Sequence, residues 1–293
     1  MPIQNIQFAG ASGATLAARL DLPLGEPRAF ALFAHCFTCS KDVRAASYIS
    51  AALAEQGIAT LRFDFTGLGG SDGEFANSNF SSNVDDLLAA ADYLRANHGI
   101  PEILIGHSLG GAAVLAAALR IADARAVVTL NAPFDPAHVL HQLGSAAADI
   151  EHAGEAEVLL GGRPFTIKKQ FIEDIGQQRL AEGLKGMKKA LLVMHSPQDI
   201  TVSLDNASQI FLAAKHPKSF ISLDGADHLL SRREDAAYAG SVLAAWAARY
   251  IARPASSNAD APRAAPGEVI VAEAGTGKFE QTVSAGRHRL RAD

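Results

Sequence analysis

Short apolar runs alternate with longer amphipathic stretches through most of this chain. Phe30-Ala31-Leu32-Phe33-Ala34, Thr60-Leu61-Arg62-Phe63, Ile103-Leu104-Ile105, Ala126-Val127-Val128-Thr129-Leu130, Ala190-Leu191-Leu192-Val193-Met194 and Ser219-Phe220-Ile221-Ser222-Leu223 have strand length and strand composition. Residues 44–56, closed by Gly57, read as an amphipathic helix. Ser82-Asn83-Val84-Asp85-Asp86 caps and opens another that runs to Ala96, its first-turn acids suiting the helix dipole. Residues 111–119 read as a third, and a closing helix is expected from about Glu234 to Ile251. Strand and helix in turn predict an α/β fold with a mostly parallel sheet, eight-stranded, and helices on both faces. Ahead of it, Ile6-Gln7-Phe8 and Thr15-Leu16-Ala17-Ala18-Arg19-Leu20 read as an antiparallel pair.

The alternation breaks after the sixth strand, between Asn131 and Lys185. That stretch is longer than an ordinary connection. It is expected to form a small helical cap, inserted at about residues 134–186 into a domain spanning 1–252. Residues 253–267 are rich in Pro, Ala and Ser without apolar periodicity, the composition of a linker. Residues 268–293 then hold Val269-Ile270-Val271-Ala272-Glu273, a turn at Gly275-Thr276-Gly277, Phe279-Glu280-Gln281-Thr282-Val283 and a short basic end. This β-hairpin is a fragment with nothing inside the chain to pack on, so it is expected to join another sheet. Pairing between chains would make a homo-oligomer, a dimer or larger.

Composition narrows the partners. The 293 residues are 48% hydrophobic and 19% charged, with a formal charge of −5. There is no basic stripe, so nucleic acid is not an expected partner. No apolar run reaches membrane-spanning length, and Met1-Pro2-Ile3-Gln4-Asn5 lacks a signal-peptide pattern, so a cytoplasmic location is expected. The two cysteines, Cys36 and Cys39, are spaced C-x-x-C. They cannot complete a four-ligand zinc site and are read as two reduced thiols lining a loop. No metal and no cofactor is expected.

The candidate chemistry centres on Gly106-His107-Ser108-Leu109-Gly110, set between a strand and a helix. A serine on a strand-to-helix turn sits in a strained conformation, and small neighbours two residues away on each side let strand and helix approach. Downstream, Asp199 and His228 each fall in a loop after a late strand, in the order serine, acid, histidine. A hydroxyl becomes a usable nucleophile when a base takes its proton, and the acid orients that base. Ser108, His228 and Asp199 are the candidate catalytic residues; Asp224 and Asp227 are the rival acids. Candidate oxyanion donors are the backbone amides of Leu109 and of Phe37, in the loop after the Phe30 strand. The glycine-rich loop at residues 64–73 lacks a P-loop ending and reads as part of the pocket rim.

Together these residues resemble the α/β-hydrolase superfamily across about residues 6–252. The segments at residues 34–42, 63–69 and 106–113 are similar to bacterial proteins that join a serine-hydrolase domain to an OsmC-like domain, and residues 269–293 resemble the opening of that second domain. OsmC-like domains use a cysteine pair that this chain does not reach, so the resemblance implies no peroxidase activity here. The wider superfamily resemblance implies His-Gly where this chain has His35-Cys36, and a Cβ there narrows the loop beside Phe37. The expected function is a carboxylesterase acting on small or short-acyl esters through an acyl-enzyme. A thioesterase, an aminopeptidase using Glu151, Glu155 and Glu157 of the cap, and an accessory scaffold for a redox domain are the alternatives.

Overall fold

The computed structural model describes residues 1–251, 264–273, 281–286 and 288–292. Most of the 253–267 linker and the Gly275-Thr276-Gly277 turn lie outside them. In chain order the elements are β1 (Ile3–Ala9), β2 (Thr15–Asp21), β3 (Ala29–Ala34), α1 (Arg44–Glu55), β4 (Ile58–Phe63), α2 (Phe80–Asn97), β5 (Pro101–His107), α3 (Leu109–Ala117) and β6 (Ala126–Leu130). Then come α4 (Ala146–Ala153), β7 (Glu155–Leu160), β8 (Arg163–Lys168), α5 (Lys169–Gly176), α6 (Leu180–Gly186), β9 (Ala190–His195), α7 (Leu204–Ala213), β10 (Lys218–Ser222) and α8 (Arg233–Ala247). Eight strands form one sheet in the order β1-β2-β4-β3-β5-β6-β9-β10. It is antiparallel at β1-β2-β4 and parallel from β4 to β10.

The buried strands serve two cores by alternation. Leu32, Leu104, Val127 and Val193 face α2 and α3, while Phe33, Ile103, Ile105 and Val128 face α1 and α8. A strand covered on both sides needs apolar residues in both registers, which is why these runs are unbroken. Among these runs Arg62 is the charged exception, and it is fully buried. Its guanidinium donates to both carboxylate oxygens of Asp21, at 2.6 and 3.1 Å, and to the carbonyl of Lys41. The charge is therefore paired, as burial requires, and it ties the sheet to the loop after β3.

Local differences from the sequence expectation have physical causes. Helix α2 starts at Phe80, with Asn79 as its N-cap; Ser82 is the third helical residue and closes a reciprocal capping box. A side chain three residues inside a helix reaches back to the cap amide, so Ser82 supports the start without being it. Helix α8 ends at Ala247, short of Ile251. Between β6 and β9, helices are joined by an antiparallel hairpin, β7-β8. This segment leans on the loop after β3 and on residues 74–81: Arg163 donates to the Thr38 carbonyl, Gln170 bonds Asn79 and Ser78, and Asp174 accepts from Ser81. At the C-terminus β11 (Val269–Glu273) and β12 (Gln281–Ala285) form the expected hairpin, and β13 (His288–Ala292), read above only as a basic end, adds a third strand. Among the described residues no helix is long and apolar enough to cross a membrane.

Candidate active site

The turn between β5 and α3 shows why its residues are small. A Cβ on Gly106 would lie 2.2 Å from the Gly110 carbonyl oxygen; one on Gly110, 2.3 Å from the His35 carbonyl oxygen; one on Gly111, 2.4 Å from the Ala132 Cβ. Ser108 itself holds φ 54° and ψ −126°, a conformation an L-residue keeps only when its surroundings impose it. The turn raises Oγ at the carboxyl edge of the sheet.

The loops after β9 and β10 meet it there. The Ser108 Oγ stands 3.0 Å from His228 Nε2, and His228 Nδ1 stands 2.7 Å from Asp199 Oδ2. A carboxylate only accepts, so Nδ1 carries the proton and Nε2 is free to accept from the serine. The other Asp199 oxygen accepts from the amides of Thr201 and Val202, at 2.8 and 2.9 Å. Burial alone would raise the Asp199 carboxyl; the His228 hydrogen bond and the Val202 amide outweigh it and hold the group below the ordinary carboxylate range. The rival acids are engaged elsewhere: Asp224 accepts from Ser222 Oγ at 2.6 Å, and Asp227 from the Ser231 amide at 2.8 Å.

The two sequence-predicted oxyanion donors sit just after β3 and at the start of α3, and both residues line one pocket. Leu109 opens α3, where backbone amides have no helical partner. Phe37 lies in the turn just after Ala34 and His35, whose carbonyl oxygens press against Gly110. Among the described residues neither amide donates to another backbone carbonyl. The pocket next to them is apolar, with Phe37, Phe65, Phe75, Phe80 and Leu109 on its walls and about 10 Å³ of free volume, room for roughly one water. The Phe37 ring stacks on Phe171 at 5.4 Å and meets Phe75 at 5.7 Å, so the β6–β9 segment closes that side. The 64–73 loop forms the rim as expected, contributing Phe65 and Leu68.

Three supporting residues escaped sequence reasoning. The His228 carbonyl accepts from His107 Nε2 at 2.7 Å and from Asn131 Nδ2 at 2.9 Å. Asn131, buried with φ 47°, also receives the Ser196 amide on Oδ1 at 2.9 Å, so it joins three loops. His195 Nε2 bonds the Val202 carbonyl at 2.8 Å and steadies the turn that feeds Asp199. An Asn directly after a buried strand was the one available signal for Asn131, since Asn tolerates positive φ.

Burial, reinforced by the like charge of His228, pushes the His107 imidazole down to about 4. Between pH 6.5 and 4 the unfolded chain then binds a proton that the folded one does not, so stability falls as pH falls through that window. The full loss is on the order of 3 kcal/mol. Denaturant unfolding at pH 7 and pH 5 is expected to show part of it, and His107→Gln is expected to flatten the difference; an equally steep profile in the variant would place the effect elsewhere.

Cys36 and Cys39 correct the expectation of two free thiols: they are joined in a disulfide. The tight turn, with the Cys39 amide on the Cys36 carbonyl at 3.1 Å, brings their Cα atoms to 5.3 Å, inside disulfide range. Glu155 and Glu157 lie on strand β7, not on a helix face, and with Glu151 are exposed.

Comparison with known proteins agrees with this architecture. The family model described as serine aminopeptidase, S33, matches residues 25–153. The esterase domain of a Rhodothermus marinus protein is 50% identical, with 86% of this chain and 100% of that one covered and a TM-score of 0.71. The fold also matches Est1E of Butyrivibrio proteoclasticus, solved with ferulic acid bound (23% identity, 81% and 97% covered, TM-score 0.72), and a lidless α/β serine hydrolase of Xanthomonas campestris (18%, 87% and 98%, 0.60). Among curated proteins nothing matches. The chain belongs to the α/β-hydrolase superfamily. It is a hydrolase.

Proposed function

We propose that this hydrolase is a carboxylesterase for small or short-acyl esters. The observation that carries the proposal is the unbroken hydrogen-bond chain from Ser108 through His228 to Asp199. In this reading His228 Nε2 takes the Ser108 proton as Oγ attacks the ester carbonyl. Asp199 stabilises the resulting imidazolium, which is in turn the acid that protonates the leaving alcohol. The Leu109 and Phe37 amides receive the oxyanion, where one donor is typically worth about a hundredfold or more in rate. Water repeats the sequence to release the acid. The tight aromatic pocket supports a short acyl group, and the 50% identical esterase domain supports ester over peptide chemistry.

The test is a panel of p-nitrophenyl esters from acetyl to lauroyl, with acyl thioesters and aminoacyl p-nitroanilides beside it. Turnover is expected to be highest on acetyl and butyryl esters and to fall steeply at longer chains. Preference for the thioesters or the anilides would overturn the ester assignment, and a flat response to acyl length would overturn the short-acyl one.

A further inference from the structure

The disulfide closes the turn that carries the Phe37 amide. Its two ends are anchored differently from its middle. On one side the Cys36 carbonyl lies 2.8 Å from His35 Nδ1. On the other, Asp64 accepts from the Lys41 amide and ammonium at 2.5 and 2.8 Å. Between these anchors the backbone of residues 37–40 is held by the Cys39 amide on the Cys36 carbonyl, by Arg163 on the Thr38 carbonyl, by the Val43 amide on the Ser40 carbonyl, and by the bridge itself. Thr38 sits at φ 59°, a region that a β-branched residue leaves when nothing compels it to stay. The stacked Phe37 ring fixes that side chain but not the orientation of its amide.

The two sulfurs are unequally placed. Cys36 is 3% exposed and faces the pocket with Leu109 and Gly110, whereas Cys39 is half-buried and reachable from solvent. We propose that Cys36–Cys39 is a thiol–disulfide exchange site for small dithiols, and that its reduction lowers ester turnover by releasing the Phe37 amide from register. The second half rests on the reading of Ser108 as nucleophile. A dithiol's thiolate attacks Cys39 Sγ, the S–S bond breaks, and Cys36 leaves as a thiolate that takes up a proton. The reagent's second thiolate then attacks the reagent sulfur of the mixed disulfide, forming the cyclic disulfide and releasing Cys39. Two electrons pass from reagent to protein. A reducing compartment would hold the turn open and an oxidising one would hold it closed.

The experiment divides the full chain, purified without reductant, into untreated, dithiothreitol-reduced and reoxidised samples. Free thiols are counted by iodoacetamide alkylation and mass spectrometry, and p-nitrophenyl acetate kinetics are measured after the reagent is removed. The Cys36→Ser/Cys39→Ser double variant is carried through the same treatments. Alkylatable thiols are expected only in the reduced sample. Its kcat is expected to fall about 10- to 100-fold, bounded by the loss of one oxyanion donor, with KM little changed and reoxidation restoring the rate. The double variant is expected to stay at the low rate and ignore dithiothreitol. Thiols that stay free after oxidation would overturn the exchange site. Equal kcat in closed and reduced forms, or a double variant that dithiothreitol also slows, would overturn the coupling to turnover. If no form hydrolyses any ester, the catalytic reading has failed and the coupling with it, while the thiol count still decides the exchange site.

Discussion

Ser108→Ala is expected to lower kcat on a p-nitrophenyl ester by about 10⁴- to 10⁶-fold, leaving the background that oxyanion donors and substrate binding supply alone. The size follows from what the hydroxyl does. Its Oγ is the atom poised on His228 Nε2 at 3.0 Å, and alanine leaves that base with nothing to deprotonate. The fold has no reason to change. Alanine keeps the Cβ that serine already has, so the φ 54° turn is no more strained, and the close approaches that matter belong to Gly106, Gly110 and Gly111. Unfolding within a few degrees of wild type, KM nearly unchanged and loss of labelling by a serine-directed phosphonate are the accompanying expectations. A variant that kept more than about 1% of wild-type turnover would remove Ser108 from the mechanism, since a lost nucleophile costs far more.

The parts of this molecule legible in the sequence are those where a local pattern meets a local constraint. Unbroken apolar runs such as Ile103-Leu104-Ile105 mark strands covered on both faces, and the small residues around Ser108 mark a turn where backbone meets backbone. The order of Ser108, Asp199 and His228 added a long-range relation, because strand-end loops of a parallel sheet share one edge. The β7-β8 hairpin was written in Gly161-Gly162, both at positive φ as a two-residue hairpin turn demands. Strand β7 does alternate in burial, but Leu159 puts an apolar side chain on its solvent face and hides the period, and the helical stretches around the hairpin dominated the reading. The clamp on the His228 carbonyl was not legible: His107 and Asn131 reach it across 121 and 97 residues, and no period or motif encodes such a contact. The disulfide needed the Cys36–Cys39 turn geometry, which the C-x-x-C spacing alone leaves open.

Asp199→Asn is expected to lower kcat by about 10⁴-fold with little change in volume or KM, as follows when a triad acid becomes an amide. The surroundings decide which way the new amide turns. Asp199 Oδ1 accepts from the Thr201 and Val202 amides, so the only oxygen of the asparagine must stay there. Its NH₂ then occupies the Oδ2 position, 2.7 Å from His228 Nδ1, and donates where the carboxylate accepted. Nδ1 must become the acceptor, the proton moves to Nε2, and the imidazole presents a donor to Ser108 instead of a lone pair. The serine keeps its neighbour but loses its base. Asp227→Asn and Asp224→Asn are expected to stay near wild type, because those carboxylates serve the Ser231 amide and the Ser222 hydroxyl. Steady-state kinetics of the three variants at pH 7 separate the cases. A loss below about tenfold in Asp199→Asn, far under the tautomer penalty, or a larger one at Asp227 or Asp224, would reassign the acid that orients His228.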